Sequence, residues 1–317
     1  MSGRRSVAAA LSAAACLLAA CEDASVPLVI GRPGVNPGEF DRPRGVAAAA
    51  GRVAVLDMTG RLQRFTAEGA LEAAFPVMPE GSVRGFPLGL VLLPDLSSTV
   101  VHTHESALVR FSAGGREISR FGSNGVREGE FCMPQRALLS ARGYVVSDFG
   151  YPECRRVYRF DARGRHLGTV GGPGTTAVFD RPMGVAETAG GPRGTTVLWV
   201  ADASHRIFRF AGNALLDTVG THGAGPGHLS FPTGIAALPG GGVVVCEAGN
   251  HRLQRFASDG TPAGTFGRQG SLPGEFRGPY DLAVDGPWLF VADTDNHRVQ
   301  RLRIDSIPWE SAAGAAR

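Results

Sequence analysis

The chain repeats itself, and that periodicity limits its fold more than any other feature. "HRIFRF" at 205–210, "HRLQRF" at 251–256 and "HRVQRL" at 297–302 are versions of one segment. Aligned on the closing residue, six units end at Phe65, Phe111, Phe160, Phe210, Phe256 and Leu302, with spacings of 46, 49, 50, 46 and 46. A Gly-rich landmark keeps the same phase: "GRPGVNPGEF" (31–40), "GSNGVREGEF" (122–131), "GRQGSLPGEF" (267–276) and the longer "GTHGAGPGHLSF" (220–231). It decays to "GGPGTTAVF" at 171–179 and is lost before Phe86. Length alone allows one large domain or two small ones, and the unbroken repeat favours one.

Each unit holds short β-rich runs between turn residues. "YDLAVD" (280–285), "WLFVAD" (288–293) and "HRVQRLRI" (297–304) make three strands, and the fourth unit adds "LLDTVG" (215–220) as a further one. Four strands per unit, joined by Gly-rich connections, predict an all-β propeller of six radial sheets. The 45 Gly and 21 Pro residues suit so many turns. The last unit lacks an outer strand, whereas "VPLVIG" (26–31) stands unpaired ahead of the first. Leu28 to Ile30 are therefore expected to complete the final blade and remove both sheet edges.

"VADTDNHRVQRL", "CEAGNHRLQRF" and "VADASHRIFRF" carry a pattern that resembles NHL repeats. The resemblance implies a six-bladed NHL propeller over 26–304, followed by a C-terminal tail, 305–317. The second unit departs most, since "VHTHESALVRF" lacks the Asn-His-Arg and the preceding Asp. The third carries an insertion, "SDFGYPECRRVYRF". In this scheme Asn-His-Arg is the turn between second and third strands, with Arg placed to meet the acid that ends the second strand. The closing Phe packs between blades.

The N-terminus reads as a targeting segment. "MSGRR" is a basic start, and Val7 to Ala20 is a 14-residue run of small and apolar residues, too short to span a bilayer. Leu18-Ala19-Ala20-Cys21 resembles a bacterial lipobox, which implies a signal peptide at 1–20, acylation of Cys21 and a short linker, 21–25. The expected location is extracytoplasmic, anchored to a bacterial membrane on its periplasmic face or at the cell surface. All 32 basic residues are Arg, the net charge is +3, and no dense basic run exists, so nucleic acid is not an expected partner. Export favours a disulfide, and Cys132 and Cys154 are the natural pair, because two loops of one propeller face would bring them together. Cys246, in "GGVVVCEAG", reads as a buried strand thiol.

Two sets of residues are candidates for function. Asp57, His102, Asp148, Asp202, Glu247 and Asp293 end the second strands and form a possible ring at the channel mouth, suited either to a divalent cation or to capping their own turns. Arg44, Arg136, Tyr151, Arg155, Arg156 and Tyr280 form a mixed basic and aromatic set for the loop face, suited to protein or glycan recognition. Enzymes with NHL-like propellers, such as peptidylglycine amidating lyases, use His from several blades around a metal. The positions after each lead-in Pro here are Arg44, Leu88, Gln135, Met183, Thr233 and Tyr280, with no His among them. The sequence thus favours a monomeric binding scaffold without catalysis or cofactor of its own; the alternative is a metal-dependent lyase or hydrolase at the channel mouth, built on His102 and ring acids.

Overall fold

The computed structural model describes residues 26–78 and 85–311. The leader, with Cys16 and Cys21, lies outside the described residues. Helix among the described residues is limited to single 3-10 turns, and none is long and apolar enough to cross a membrane.

Six four-stranded antiparallel sheets make the blades. Their innermost strands are Gly45–Ala49, Gly89–Leu92, Pro134–Ser140, Pro182–Thr188, Pro232–Ala237 and Pro279–Asp285, and each touches the next to close a ring. Second and third strands follow outward by tight turns, as Trp288–Asp293 and Arg298–Arg303 do in blade 6. The fourth strand of blade 6 is Leu28–Ile30, in register Leu28 to Arg301, Val29 to Gln300 and Ile30 to Val299. The chain closes the ring as its sequence predicts, which leaves no blade short of an outer strand.

The core is divided among the junctions between blades. Each of the six apolar clusters joins one blade to its neighbour, and the closing residue of every third strand sits in one of them: Phe65 packs on blade 6, Phe111 on blade 1, Phe160 on blade 2, Phe210 on blade 3, Phe256 on blade 4 and Leu302 on blade 5. Both faces of the inner strands are covered, which explains the weak polar and apolar alternation in the sequence. Removing one such Phe costs about 3–5 kcal/mol, enough to loosen a junction.

Residues 305–311 pack against the ring. Ile307 is buried at the junction of blades 5 and 6, and Glu310 pairs with Thr265 on the outer strand of blade 5 through backbone bonds of 3.0 Å and 2.8 Å. Trp309 meets Phe266 edge-on. This segment covers the open edge and the apolar ring of that strand.

Candidate functional site

The two recurring motifs hold each other. In blade 6, Asp293 accepts from the backbone N–H of Arg277 at 2.7 Å and pairs with Arg298 at 2.7 Å. Arg298 also donates to the carbonyls of Ser271, Leu272 and Glu275, all in the lead-in loop. Gln300 donates to Glu275 O at 2.7 Å and accepts from Gly274 N at 2.9 Å; Asn296 donates to Gly270 O at 2.8 Å. Blade 5 repeats this with Glu247, Asn250, Arg252 and Gln254, and blade 1 with Asp57, Arg61 and Gln63. The Glu of Gly-Glu-Phe folds back on its own loop, as Glu275 accepts from Leu272 N at 3.1 Å. That amide, with Arg268, holds its carboxyl below the usual range.

The repeat His serves the next blade. His205, His251 and His297 take left-handed backbone at φ of 70°, 53° and 54°. Each ring Nδ1 accepts a backbone N–H from the following lead-in loop: Phe231 at 3.1 Å, Gly278 at 3.0 Å and Arg42 at 3.2 Å. In this arrangement Nδ1 is the accepting nitrogen of each ring.

This geometry corrects the idea of a channel-mouth ring. Asp57, His102, Asp148, Asp202, Glu247 and Asp293 are all buried, and none lines the central channel cavity. A second strand lies one strand out from the channel, so its last side chain meets lead-in amides instead. Asp148 accepts from Cys132 N and Met133 N, and Asp202 from Asp180 N and Arg181 N. Burial pushes the Asp148 and Glu247 carboxyls up, opposed by these amides and, at Glu247, by Arg252. His102 is the exception in blade 2. Its ring stacks on Phe111, Nδ1 lies 3.5 Å from Glu105, and neither nitrogen makes a hydrogen bond among the described residues. Burial pushes its pKa down. Among the described residues no three His, Cys, Asp or Glu side chains gather as a metal site.

The channel is blocked by a pair of charges that the sequence reading did not bring together. Two residues after the lead-in Pro, four blades carry Gly45, Gly89, Gly184 and Gly234. At Gly89 and Gly184 a Cβ would stand 2.7 Å and 2.6 Å from a carbonyl of the next blade, so a side chain has no room. Blades 3 and 6, opposite each other in the ring, carry Arg136 and Asp281 there. Arg136 Nε lies 3.2 Å from Asp281 Oδ1 across the channel. The guanidinium also donates to the carbonyls of Leu88 and Arg44, and Asp281 accepts from Val46 N at 2.9 Å. Burial raises the Asp281 carboxyl, with Arg136 pulling the other way. Above the pair, Arg44 lies 4.8 Å over the Tyr280 ring, and Gln135 donates to the Tyr280 hydroxyl at 3.1 Å. On the side away from the lead-in loops the inner strands enclose an apolar cavity of about 470 Å³.

The proposed basic and aromatic face therefore divides. Arg136 is buried in the channel, a correction to its placement on a binding surface, and Arg44 and Tyr280 form the channel mouth. Tyr151 is 70% exposed on the insertion of blade 3. Arg155 beside it pairs with Asp180 of the next lead-in loop at 3.0 Å. Arg156 starts the third strand opposite Asp148. Cys132 and Cys154 are bonded, with their Cα atoms 6.0 Å apart, and pin this insertion to the loop face. Cys246 is buried as expected; burial pushes its thiol up to about 12, and it contacts Thr233 Oγ1 at 3.3 Å.

Comparison with known proteins agrees with this architecture. The NHL repeat family matches residues 229–256. A stretch of 74 residues, 23% of the chain, is 38% identical to RING finger protein nhl-1 of Caenorhabditis elegans, of which it spans only 8%. A streptogramin B lyase structure superposes with a TM-score of 0.60 over 87% of this chain and 97% of its own, at 11% identity. A gluconolactonase from Xanthomonas campestris gives 0.59 over 84% and 86%, at 17% identity. At such identities the likeness is one of fold.

Proposed function

We propose that this six-bladed NHL-repeat propeller is a binding scaffold, carried outside the cytoplasm on a lipid anchor at Cys21, that meets a protein or glycan through its loop face. Tyr151 carries the reading. It is a large amphipathic side chain, 70% exposed, on a segment fixed by the Cys132–Cys154 disulfide, by Gly150 N donating to Asp148 at 3.1 Å, and by Cys154 N donating to Tyr151 O at 2.7 Å. An aromatic anchor held rigid before contact loses little entropy on binding, which favours a recognition role. Val126, in the lead-in loop of the same blade, adds exposed apolar surface.

Affinity capture of the full-length protein from detergent-solubilised membranes tests the face. Partners captured by the parent and lost by Tyr151→Ala support it; undiminished capture of every partner removes Tyr151 from the assignment. The mass of the N-terminal peptide tests the anchor: an acylated Cys21 at the N-terminus supports it, and an intact Ala20-Cys21 junction rejects it.

A further inference from the structure

The arginine just before the closing residue of each third strand offers an internal comparison. In blades 1, 4 and 6 it crosses to the next blade and donates to carbonyls of the turn between that blade's third and fourth strands. Arg64 reaches Ala113 at 3.0 Å, Arg209 reaches Ser258 at 2.7 Å, and Arg301 reaches Ala67 at 2.8 Å. Blade 5 has the same residue, Arg255, but its neighbour is blade 6, whose fourth strand comes from Leu28–Ile30. No third-to-fourth turn exists there, because the chain leaves through 304–306 and doubles back over blade 5. Ring closure by the N-terminal strand thus leaves Arg255 without the turn carbonyls met in blades 1, 4 and 6, while in blades 2 and 3 Arg110 and Arg159 pair with Asp95 and Glu187.

In their place is a cavity of about 670 Å³, lined by Leu238, Pro239, Arg255, Ala263, Pro287 and Ile304 among others. Arg255 Nη2 donates to Ala263 O at 3.1 Å, and the guanidinium carbon lies 5.2 Å from the Trp309 ring centroid. Its Nε is buried without a hydrogen-bond partner among the described residues, as is that of Arg209 in blade 4, so what sets Arg255 apart is the missing turn beside it. Asp305, the acid at the rim, is held by Arg303 through bonds of 2.8 Å and 3.1 Å.

We propose that this cavity binds a small monocarboxylate with an apolar body, its carboxylate on Arg255 and its body against Leu238, Pro239, Pro287 and Ile304. The planar guanidinium suits a carboxylate, and the volume suits a drug-sized molecule. One available cation beside an acidic rim suits a single negative charge better than a polyanion. The site is independent of the loop-face reading, since its lining comes from the junction of blades 5 and 6 and the segment that follows.

The test titrates 4-phenylbutyrate, and separately the uncharged 4-phenylbutanamide, into the purified protein by calorimetry and by Trp fluorescence. The expected result is saturable binding of the acid at one site per chain, about tenfold or more weaker for the amide and for Arg255→Gln. The fluorescence response should vanish in Trp309→Phe while the heat of binding remains. Thermal melting checks that Arg255→Gln is folded; if it is not, the comparison of acid with amide on the parent protein decides. No saturable binding of the acid at millimolar concentration, or equal affinity for acid and amide, would overturn the proposal.

Discussion

Blades 6 and 2 occupy equivalent places in the ring and are held by opposite means. In blade 6, Asp293, Asn296, Arg298 and Gln300 grip the loop at 267–276, and His297 reaches across to blade 1. In blade 2 the same positions are His102, Glu105, Ala107 and Val109, Ser106 stands where the latch His would be, and the Gly-rich landmark is gone. Val109 and Phe111 pack at the junction with blade 1, and Ser106 donates to Cys132 O of the next lead-in loop at 3.2 Å. The repeat's polar residues and its Gly-rich loop therefore belong together in the blades that keep both. In blades 1, 5 and 6 they satisfy the backbone of a long Gly-rich loop, whereas blade 3 keeps the loop with Tyr158 at the Gln position. Blade 4 is intermediate: its decayed loop at 171–179 faces Phe208 in place of Gln, packed on Phe179 with ring centroids 4.9 Å apart.

The largest effect that could break this comparison is at Asp293. Asp293→Ala leaves the buried Arg298 without its carboxylate and is expected to cost about 3–5 kcal/mol in denaturant unfolding. A loss under 1 kcal/mol would mean that the kept motif holds little. Gln300→Leu removes both loop contacts of that side chain and is expected to cost about 1–3 kcal/mol.

Acid should have a gentler effect, read at His205. Burial and the neighbouring His222, with ring centroids 4.3 Å apart, hold His205 below its ordinary value of 6.5. Because the folded value is the lower one, the unfolded chain takes up the proton first. The stabilisation is complete above 6.5 and is lost as pH falls through the folded value. His205→Asn keeps a residue suited to left-handed backbone and does not titrate, so its melting temperature should fall less between pH 7 and pH 5 than that of the parent. The smallest effect is expected in blade 2. His102→Leu replaces a buried ring without hydrogen bonds, and chemical denaturation should show no loss, or a gain of up to about 1 kcal/mol.

The scaffold was legible because periodicity is a property of many residues at once. Spacing alone placed six blades, and the missing outer strand of blade 6 pointed to Leu28 to Ile30. The cysteine pair was legible too, because propeller loops on one face bring Cys132 toward Cys154. The site was harder, since strand ends give position along the chain but not direction into or away from the channel. That is why Asp57 and Asp293 read either as a ring at the mouth or as caps of their own turns, until their contacts with lead-in amides decide for the caps. Arg136 and Asp281 did leave a signal: they replace a repeat Gly in two blades lying opposite each other. The signal lies in the positions that break the repeat, not in those that keep it. The fold of 304–311 over blade 5 had no such signal, because it depends on an edge and on Phe266, both supplied by another blade.

Hydrogen exchange measured on the parent and on Gln300→Leu tests most directly whether the kept residues serve to hold their loops. Amides of 267–276, Gly274 above all, should lose protection in the variant while those of 31–40, held by Gln63, keep theirs. Unchanged protection at 267–276 in a folded Gln300→Leu protein would contradict it.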